Sequence, residues 1–418
     1  MKISALLIFL LIVFGYSHNP LIRASHINKT YDVSITTGEG RQISKPPEFL
    51  FHYIEKDAYW ITSAQQTTLS DIDNDGDLDF TTGNVHQNPS LFWYEYIAPD
   101  KWTKHVIGSD DDFYGGAVSL DVNSDGRTDI ISSEYLFINK RGTMKPYGIG
   151  WDKYFIGTGD PSCHCMVKAD LNQDGKMDII TNSGNKGGEG LCWYEMSDDP
   201  LKPWVRHEIG GEVYFAHGAL DPMPVGDLDG DGDLDVAAAG SWFENLDGKA
   251  VKWKEHHHGF IGQEGPWGMA VKTHVVDLDG DGDIDIVQAE CDLREELAGL
   301  GWLENDGKGN FKLHWIVSRE YNHDYHSMVV FDYDNDGDRD ILAGNGPLSK
   351  GKRTFIYENL AGPGNKVKSS DWKEHVILEG FVSHDAVTGD VDGDGDIDIL
   401  SKEWTSGSVY YLENKLNK

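Results

Sequence analysis

The chain has 418 residues, 70 of them acidic against 36 Lys or Arg, for a formal net charge of −34. That balance disfavours a nucleic-acid partner, because phosphates need a basic footprint. Four cysteines in this length exclude a disulfide-built scaffold.

The first residues read as an export signal. Lys2 precedes an apolar run from Ile3 to Phe14, broken only by Ser4, and Gly15 and Ser17 suit the small-residue positions of a signal-peptidase site. Residues 1–17 are expected to be a signal peptide, too short to span a bilayer. No Cys follows the cleavage point, which excludes lipidation there, and no later stretch is long and apolar enough for a membrane span. The expected mature protein is exported, to the periplasm or the medium. Residues 18–48 are polar, carry no repeat and read as an N-terminal arm.

From Phe49 onward the chain repeats one loop seven times. Its clearest copy has Asp390, Asp392, Asp394 and Asp398 at loop positions 1, 3, 5 and 9, with Gly395 at position 6. This spacing wraps oxygen ligands around a hard cation: side chains at 1, 3 and 5, the carbonyl at 7, and a carboxylate at 9. The other full copies hold Asp71, Asp73, Asp75 and Asp79; Asp227, Asp229, Asp231 and Asp235; Asp277, Asp279, Asp281 and Asp285; and Asp332, Asp334, Asp336 and Asp340. Two copies have Asn at position 3: Asp121, Asn123, Asp125 and Asp129, and Asp170, Asn172, Asp174 and Asp178. They keep position 9, so weaker binding is expected there rather than loss. The loops hold 31 of the 70 acidic residues, and seven bound Ca²⁺ would bring the net charge to −20. The acidity is thus largely a metal-binding feature, with up to seven structural Ca²⁺.

The loops start 49–58 residues apart, the mark of a propeller or array. Each unit has the same grammar. A β-branched run leaves the loop, an aromatic strand such as Trp93–Glu95 or Trp302–Asn305 follows, and then comes a Trp-x-x-His strand such as Trp102–His105 or Trp372–His375. With the strand entering the loop, that makes four strands per unit. Unit 2 departs from the pattern, with Leu136–Asn139 and Trp151–Tyr154. The last unit stops after Asn414, one strand short, and Phe49–Ile54 resembles the missing strand. The expected fold is all-β: a seven-bladed β-propeller over residues 49–418, closed by an N-terminal strand that removes the exposed edge, with the calcium loops on one face.

The Asp-x-Asp-x-Asp-Gly-x-x-Asp loops in β-repeats resemble the FG-GAP/VCBS repeat superfamily over residues 49–418. The resemblance implies calcium-binding seven-bladed propellers, which serve adhesion, lectin and enzyme roles. The chain is also similar to secreted carbohydrate-active propeller enzymes, the uronate-oligosaccharide dehydratases and polysaccharide lyases that degrade marine polysaccharides such as ulvan.

If each metal loop joins the innermost strand to the second, the start of the first strand and the end of the second lie on the opposite face. Six residues before the loops stand Gln65, Gly115, His164, Val271, His326 and His384. Allowing for an insertion at 221–224, His217 takes this place in blade 4, and by the same allowance Trp267 replaces Val271 in blade 5. Five residues after the loops stand Asn84, Glu134, Ser183, Gly240, Glu290, Asn345 and Glu403. Four His from four blades therefore form one rim, where a further divalent metal is an additional expectation. By contrast His105, His207, His256, His314 and His375 recur at a fixed outer-strand position and read as structural, and the His256–His258 run reads as a solvated turn. Cys163-His164-Cys165 has too few ligands for a zinc site, and Cys165 and Cys192 are candidates for a pair.

Tyr325 and Lys402 neighbour His326 and His384, and Arg294 lies in an insertion after Glu290. Such a rim, with Trp267 and Trp404 to stack on sugar rings, suits an acidic oligo- or polysaccharide. The favoured reaction is β-elimination on a uronic acid, by a dehydratase or a polysaccharide lyase. It needs a cation on the carboxylate, a base at C5 and an acid at the leaving oxygen, drawn from His326, His384, His217, His164, Tyr325, Lys402 and Arg294. The alternatives are a non-catalytic calcium-dependent lectin or adhesin, and a glycoside hydrolase using two of Glu134, Glu290 and Glu403. The protein is expected to act as a monomer.

Overall fold

The computed structural model describes residues 47–62, 66–83, 90–108, 117–140, 150–158, 165–183, 190–210, 215–217, 220–260, 262–265, 268–293, 297–319 and 323–416. For 59–62, 183, 215–217, 264–265, 268–269 and 405–406 only the backbone is described. The expected signal peptide and all but the end of the arm lie outside the described residues.

The described chain is all-β, without a helix, in seven antiparallel four-stranded sheets arranged as the blades of a propeller. Blade 6 shows the plan: Tyr325–Phe331, Asp340–Asn345, Arg353–Asn359 and Trp372–Glu379 pair in sequence order, and the acidic loop joins the first two. Side chains alternate between the faces of a strand, so one strand serves two interfaces. Ile341 and Ala343 pack on blade 5 beside Val287 and Trp302, while Leu342 between them packs on blade 7 beside Ile399 and Tyr410. Both faces of these sheets are covered, which is why the runs leaving the loops are apolar without interruption.

The ring closes as expected. Phe49–Thr62 pairs with Thr405–Asn414 as the fourth strand of blade 7, with His52 opposite Tyr411. This repeats the register of His105 opposite Trp93 and His314 opposite Trp302. The outer-strand histidines are structural. His105, His207, His256, His314 and His375 each meet the Glu of the neighbouring aromatic strand at 2.5–2.8 Å. Four of them stack on a Trp at 4.3–4.4 Å between ring centroids. His52 does the same for the closing strand, at 3.0 Å from Glu413.

Three expectations are corrected. His258 is not in a solvated turn: it is buried, and its Nε2 bonds the Ala238 carbonyl at 3.1 Å. Cys165 and Cys192 are buried and form no disulfide with each other. Cys165 adjoins the first strand of blade 3 and Cys192 lies on the third, with Asp178–Ser183 between them. Two strand spacings of about 4.8 Å exceed the reach of a disulfide. Blade 4 is irregular at its start. Pro222 and Pro224 supply no ladder donor, the first strand shrinks to Val225–Gly226, and the chain before it runs parallel to Gly268–Val276 of blade 5. His217 thus lies alongside Ala270.

Deleting Phe49–Ile54 exposes a full-length strand edge on blade 7. The truncated protein should elute as oligomers or aggregate and melt at lower temperature than the parent. A soluble monomer with unchanged melting, by size exclusion and calorimetry, would contradict closure by this strand.

Candidate functional site

The two faces of the ring are chemically distinct. On one, all seven loops share a geometry. The position-9 aspartate is buried, and one of its oxygens accepts from the backbone N of position 2 at 2.9–3.2 Å. The other accepts from a backbone N at or beside the end of the third strand at 2.8–3.1 Å. The position-1 aspartate accepts from the Gly at position 6 at 2.7–3.1 Å. That Gly has positive φ in every copy, for example 105° at Gly76 and 93° at Gly337, which favours a residue without Cβ.

The donor set fits a hard cation. Ligand oxygens of Asp71, Asp73 and Asp79 lie within 4.8 Å of one another, as do those of Asp227, Asp229 and Asp231, of Asp277, Asp279 and Asp281, and of Asp332, Asp334 and Asp336. Asp279, Asp334 and Asp390 each keep a buried Oδ1 without a hydrogen-bond donor. Burial, together with the neighbouring loop carboxylates, pushes Asp79, Asp235 and Asp285 up to about 8 and Asp398 to about 7. In the two Asn-bearing loops the values are about 6 at Asp129 and about 7 at Asp178.

At the channel end opposite the loops, the structure brings together His326, His384 and Lys402, joined by residues that sequence reading missed. His384 and Lys402 are cross-strand partners in blade 7. Asp385 adopts a left-handed φ of 51° where the pairing shifts register. A bulge re-aims a side chain, and here it lets His384 and the next residue share one side. The rings of His326 and His384 stack at 3.9 Å and 23°. The Asp385 carboxylate lies 2.7 Å from His384 Nδ1, 3.6 Å from His326 Nδ1 and 3.8 Å from Lys402 Nζ. It also takes a 2.6 Å hydrogen bond from Lys272 of blade 5. Lys272 reaches Asp221 at 3.3 Å, and Gln66 donates to that same carboxylate at 2.8 Å. Asp292 stands 3.6 Å from His326 Nε2. All these residues except Gln66 are buried. A Cβ on Gly346 would come within 2.7 Å of His326 Cβ and 2.8 Å of Asp324 Oδ2, so that glycine sets the ring's seat.

The environments push these groups apart. Burial lowers His384 well below the usual imidazole range. Burial acts on His326 in the same sense, but Asp292 and Asp385 outweigh it and the net shift is upward. Burial weakens Lys402 to about 8. Burial would also lower Lys272, yet Asp385 and Asp221 hold it well above its ordinary value. Asp385 is held well below the carboxylate range, since His384 and Lys272 overcome the effect of burial. Asp324 rises to about 7, from burial and Asp292.

The other expected site residues fare differently. The expectation that Tyr325 joins the histidines is not met. Its hydroxyl lies 2.7 Å from that of Tyr357, inside the core between blades 5 and 6. Adjacent strand residues face opposite sides, which separates it from His326. His164, Arg294, Gln65 and Trp267 lie outside the described residues, as does the side chain of His217. Glu290 is no free catalytic carboxylate: Arg319 grips both its oxygens at 2.7 and 2.9 Å, and Gln263 and Gly299 also donate to it. The signal for Asp385 was its place directly after His384, and that for Lys272 was a lone cation in an inner strand. Nothing local marked Asp221, which reaches the channel through the proline-broken entry to blade 4.

Comparison with known proteins follows the fold. The FG-GAP-like repeat family matches residues 170–238, 227–288 and 277–343. Residues 170–343 of this β-propeller thus carry FG-GAP-like repeats. The crystal structure of BBS1N in complex with ARL6DN aligns with 87% of this chain and 96% of that one, at 9% identity and a TM-score of 0.50. That likeness shows the fold alone. The Photorhabdus luminescens Tc holotoxin pore aligns with 82% of this chain and 17% of that one at 14% identity, and its TM-score of 0.34 carries no argument. No curated protein matches the chain.

Two outcomes are expected. A folded pKa raised above the ordinary 3.8 gives stability that is full below about pH 4 and lost as pH rises through 6–8. Metal-stripped protein should therefore melt at lower temperature at pH 8 than at pH 5.5, and a saturating divalent cation should remove the difference. Equal melting at both pH values after stripping would contradict it. Secondly, Lys272→Met leaves Asp385 and Asp221 without their shared cation, and denaturant unfolding should show a loss of about 3–5 kcal/mol. A loss under about 1 kcal/mol would mean that the ion pairs do not hold the blades together.

Proposed function

We propose that this protein is an exported carbon–oxygen lyase that acts by β-elimination on uronic-acid-containing oligosaccharides, with calcium in its loops and its chemistry at the channel cluster. The observation that carries this reading is the stacked His326–His384 pair around Asp385, with Lys402 at its edge, at the end of the ring away from the acidic loops. Elimination moves the C5 proton to a base. The C–H pair becomes the C4=C5 double bond, and the oxygen at C4 leaves with its bonding pair and takes up a proton. The cluster offers imidazole and amine groups for proton transfer and positive charge for the substrate carboxylate. At this end Lys402 offers the uronate carboxylate a cation, whereas the loop face would repel it.

The loops suit a supporting role. Their all-oxygen donor sets match Ca²⁺ chemistry, and ions bound only by the folded state stabilise it through linkage. Whether the leaving group is water or a sugar decides between dehydratase and lyase.

The test is mass analysis of a uronate oligosaccharide panel incubated with the protein. Loss of water, or cleavage with an unsaturated uronate absorbing in the ultraviolet, is expected. His326→Ala and His384→Ala should each reduce turnover on the order of 10²-fold or more, with melting in calcium little changed. Cleavage with addition of water would favour a hydrolase. Tight binding without any mass change would make the protein a lectin.

A further inference from the structure

We infer that His326, His384 and Asp385 are the ligands of a first-row divalent transition-metal ion, held separately from the calcium loops. The catalytic part of this inference rests on the elimination reading; the metal-binding part does not.

Geometry comes first. Ligand atoms of the three residues lie within 4.8 Å of one another. Ligands about 2.1 Å from a common ion at tetrahedral to octahedral angles stand about 2.9–3.4 Å apart. His384 Nδ1 stands 2.7 Å from Asp385 Oδ2, and His326 Nδ1 stands 3.6 Å from the other oxygen, Oδ1, both close to that range. The atoms that would bind are also those left without a hydrogen-bond partner: Nδ1 of His326, Nδ1 of His384 and Oδ2 of Asp385, all buried. Buried polar atoms are ordinarily satisfied, and ligand atoms of three such side chains within 4.8 Å of one another suit a shared Lewis acid.

Charge and surroundings agree. The buried cluster holds the carboxylates of Asp221, Asp292, Asp324 and Asp385 against the ammonium groups of Lys272 and Lys402. With neutral imidazoles the sum is −2, which one divalent ion cancels; uncompensated buried charge is otherwise costly. The outer contacts are those of a metal ligand set. Asp292 stands 3.6 Å behind His326 Nε2, and Lys272 fixes the other oxygen of Asp385 at 2.6 Å. Two imidazoles and one carboxylate select a borderline ion such as Zn²⁺ or Fe²⁺, whereas the all-oxygen loops select Ca²⁺. In elimination the ion would polarise the uronate carboxylate. Lys402 lies outside the ligand set, 3.8 Å from Asp385 and donating to the His384 carbonyl at 3.2 Å; once it has given up its own proton, its amine is the acceptor for the substrate's.

The test saturates the full chain with Ca²⁺ and then titrates Co²⁺. Visible absorption and elemental analysis after dialysis are the readouts. One retained Co²⁺ per chain with nitrogen-ligand bands is expected. It should be lost in His384→Ala and His326→Gln, with calcium-bound melting near that of the parent. Asp385→Asn should also lose it, but that variant also breaks the Lys272 pair, so the two His variants decide. Lys402→Met should keep the Co²⁺ spectrum and lose turnover. No Co²⁺ retained over Ca²⁺, or an unchanged spectrum in both His variants, overturns the site. Turnover that depends on both His without any bound transition metal would leave the elimination reading standing and sink this one. Retained Co²⁺ without turnover of any uronate would do the reverse.

Discussion

One buried carboxylate per blade holds this molecule in register. At position 9 of each loop an Asp joins the loop's own backbone to the end of the third strand, in all seven blades. No neutral side chain can accept from both places and still offer lone pairs to an ion. The arrangement concentrates negative charge on one face, and burial makes that charge expensive. Neighbouring loops are also tied to each other. Asn139, Asn305 and Asn414 each donate to a carbonyl in the preceding blade's loop and to one in their own. A change in one loop is therefore felt by its neighbours.

The opposite end of the channel obeys other rules. There the inner strands present ionisable residues to a space that blades 4, 5, 6 and 7 share through Asp221, Lys272, His326 and Asp385. Buried ion pairs are weak evidence for stability, and apolar residues would fill the channel at lower cost. A cluster of four carboxylates, two amines and two imidazoles is better explained by what it does than by what it holds up. Structural polar groups in this protein look different: Glu290 has every oxygen gripped by partners, and the outer histidines each bond one Glu, most of them also stacking on a Trp.

Much of this was legible in the sequence, because the informative features are local. Loop spacing, the aromatic strand and the Trp-x-x-His strand each lie within ten residues, and the missing last strand could be counted. His326, His384 and Lys402 were found because their distance from the loop fixes their height in the channel. Tyr325 misled because neighbours in sequence were treated as neighbours in space, while a strand turns them apart. Asp385 is the exception, and only its left-handed backbone places it with His384. Asp221 and Lys272 depend on which blades face each other across the ring, and on two prolines that divert the chain into blade 4. Such long-range placement leaves no local pattern.

The central claim is that an acidic sugar meets the protein at the His326–His384–Lys402 end of the channel. The most direct measurement is a crystal structure of the His384→Ala variant soaked with a uronate tetrasaccharide in calcium. The account predicts a uronate carboxylate beside His326 and Lys402, with the C5–H directed at Lys402. Sugar bound at the loop face or along the outer strands, with the channel end unoccupied, would contradict it.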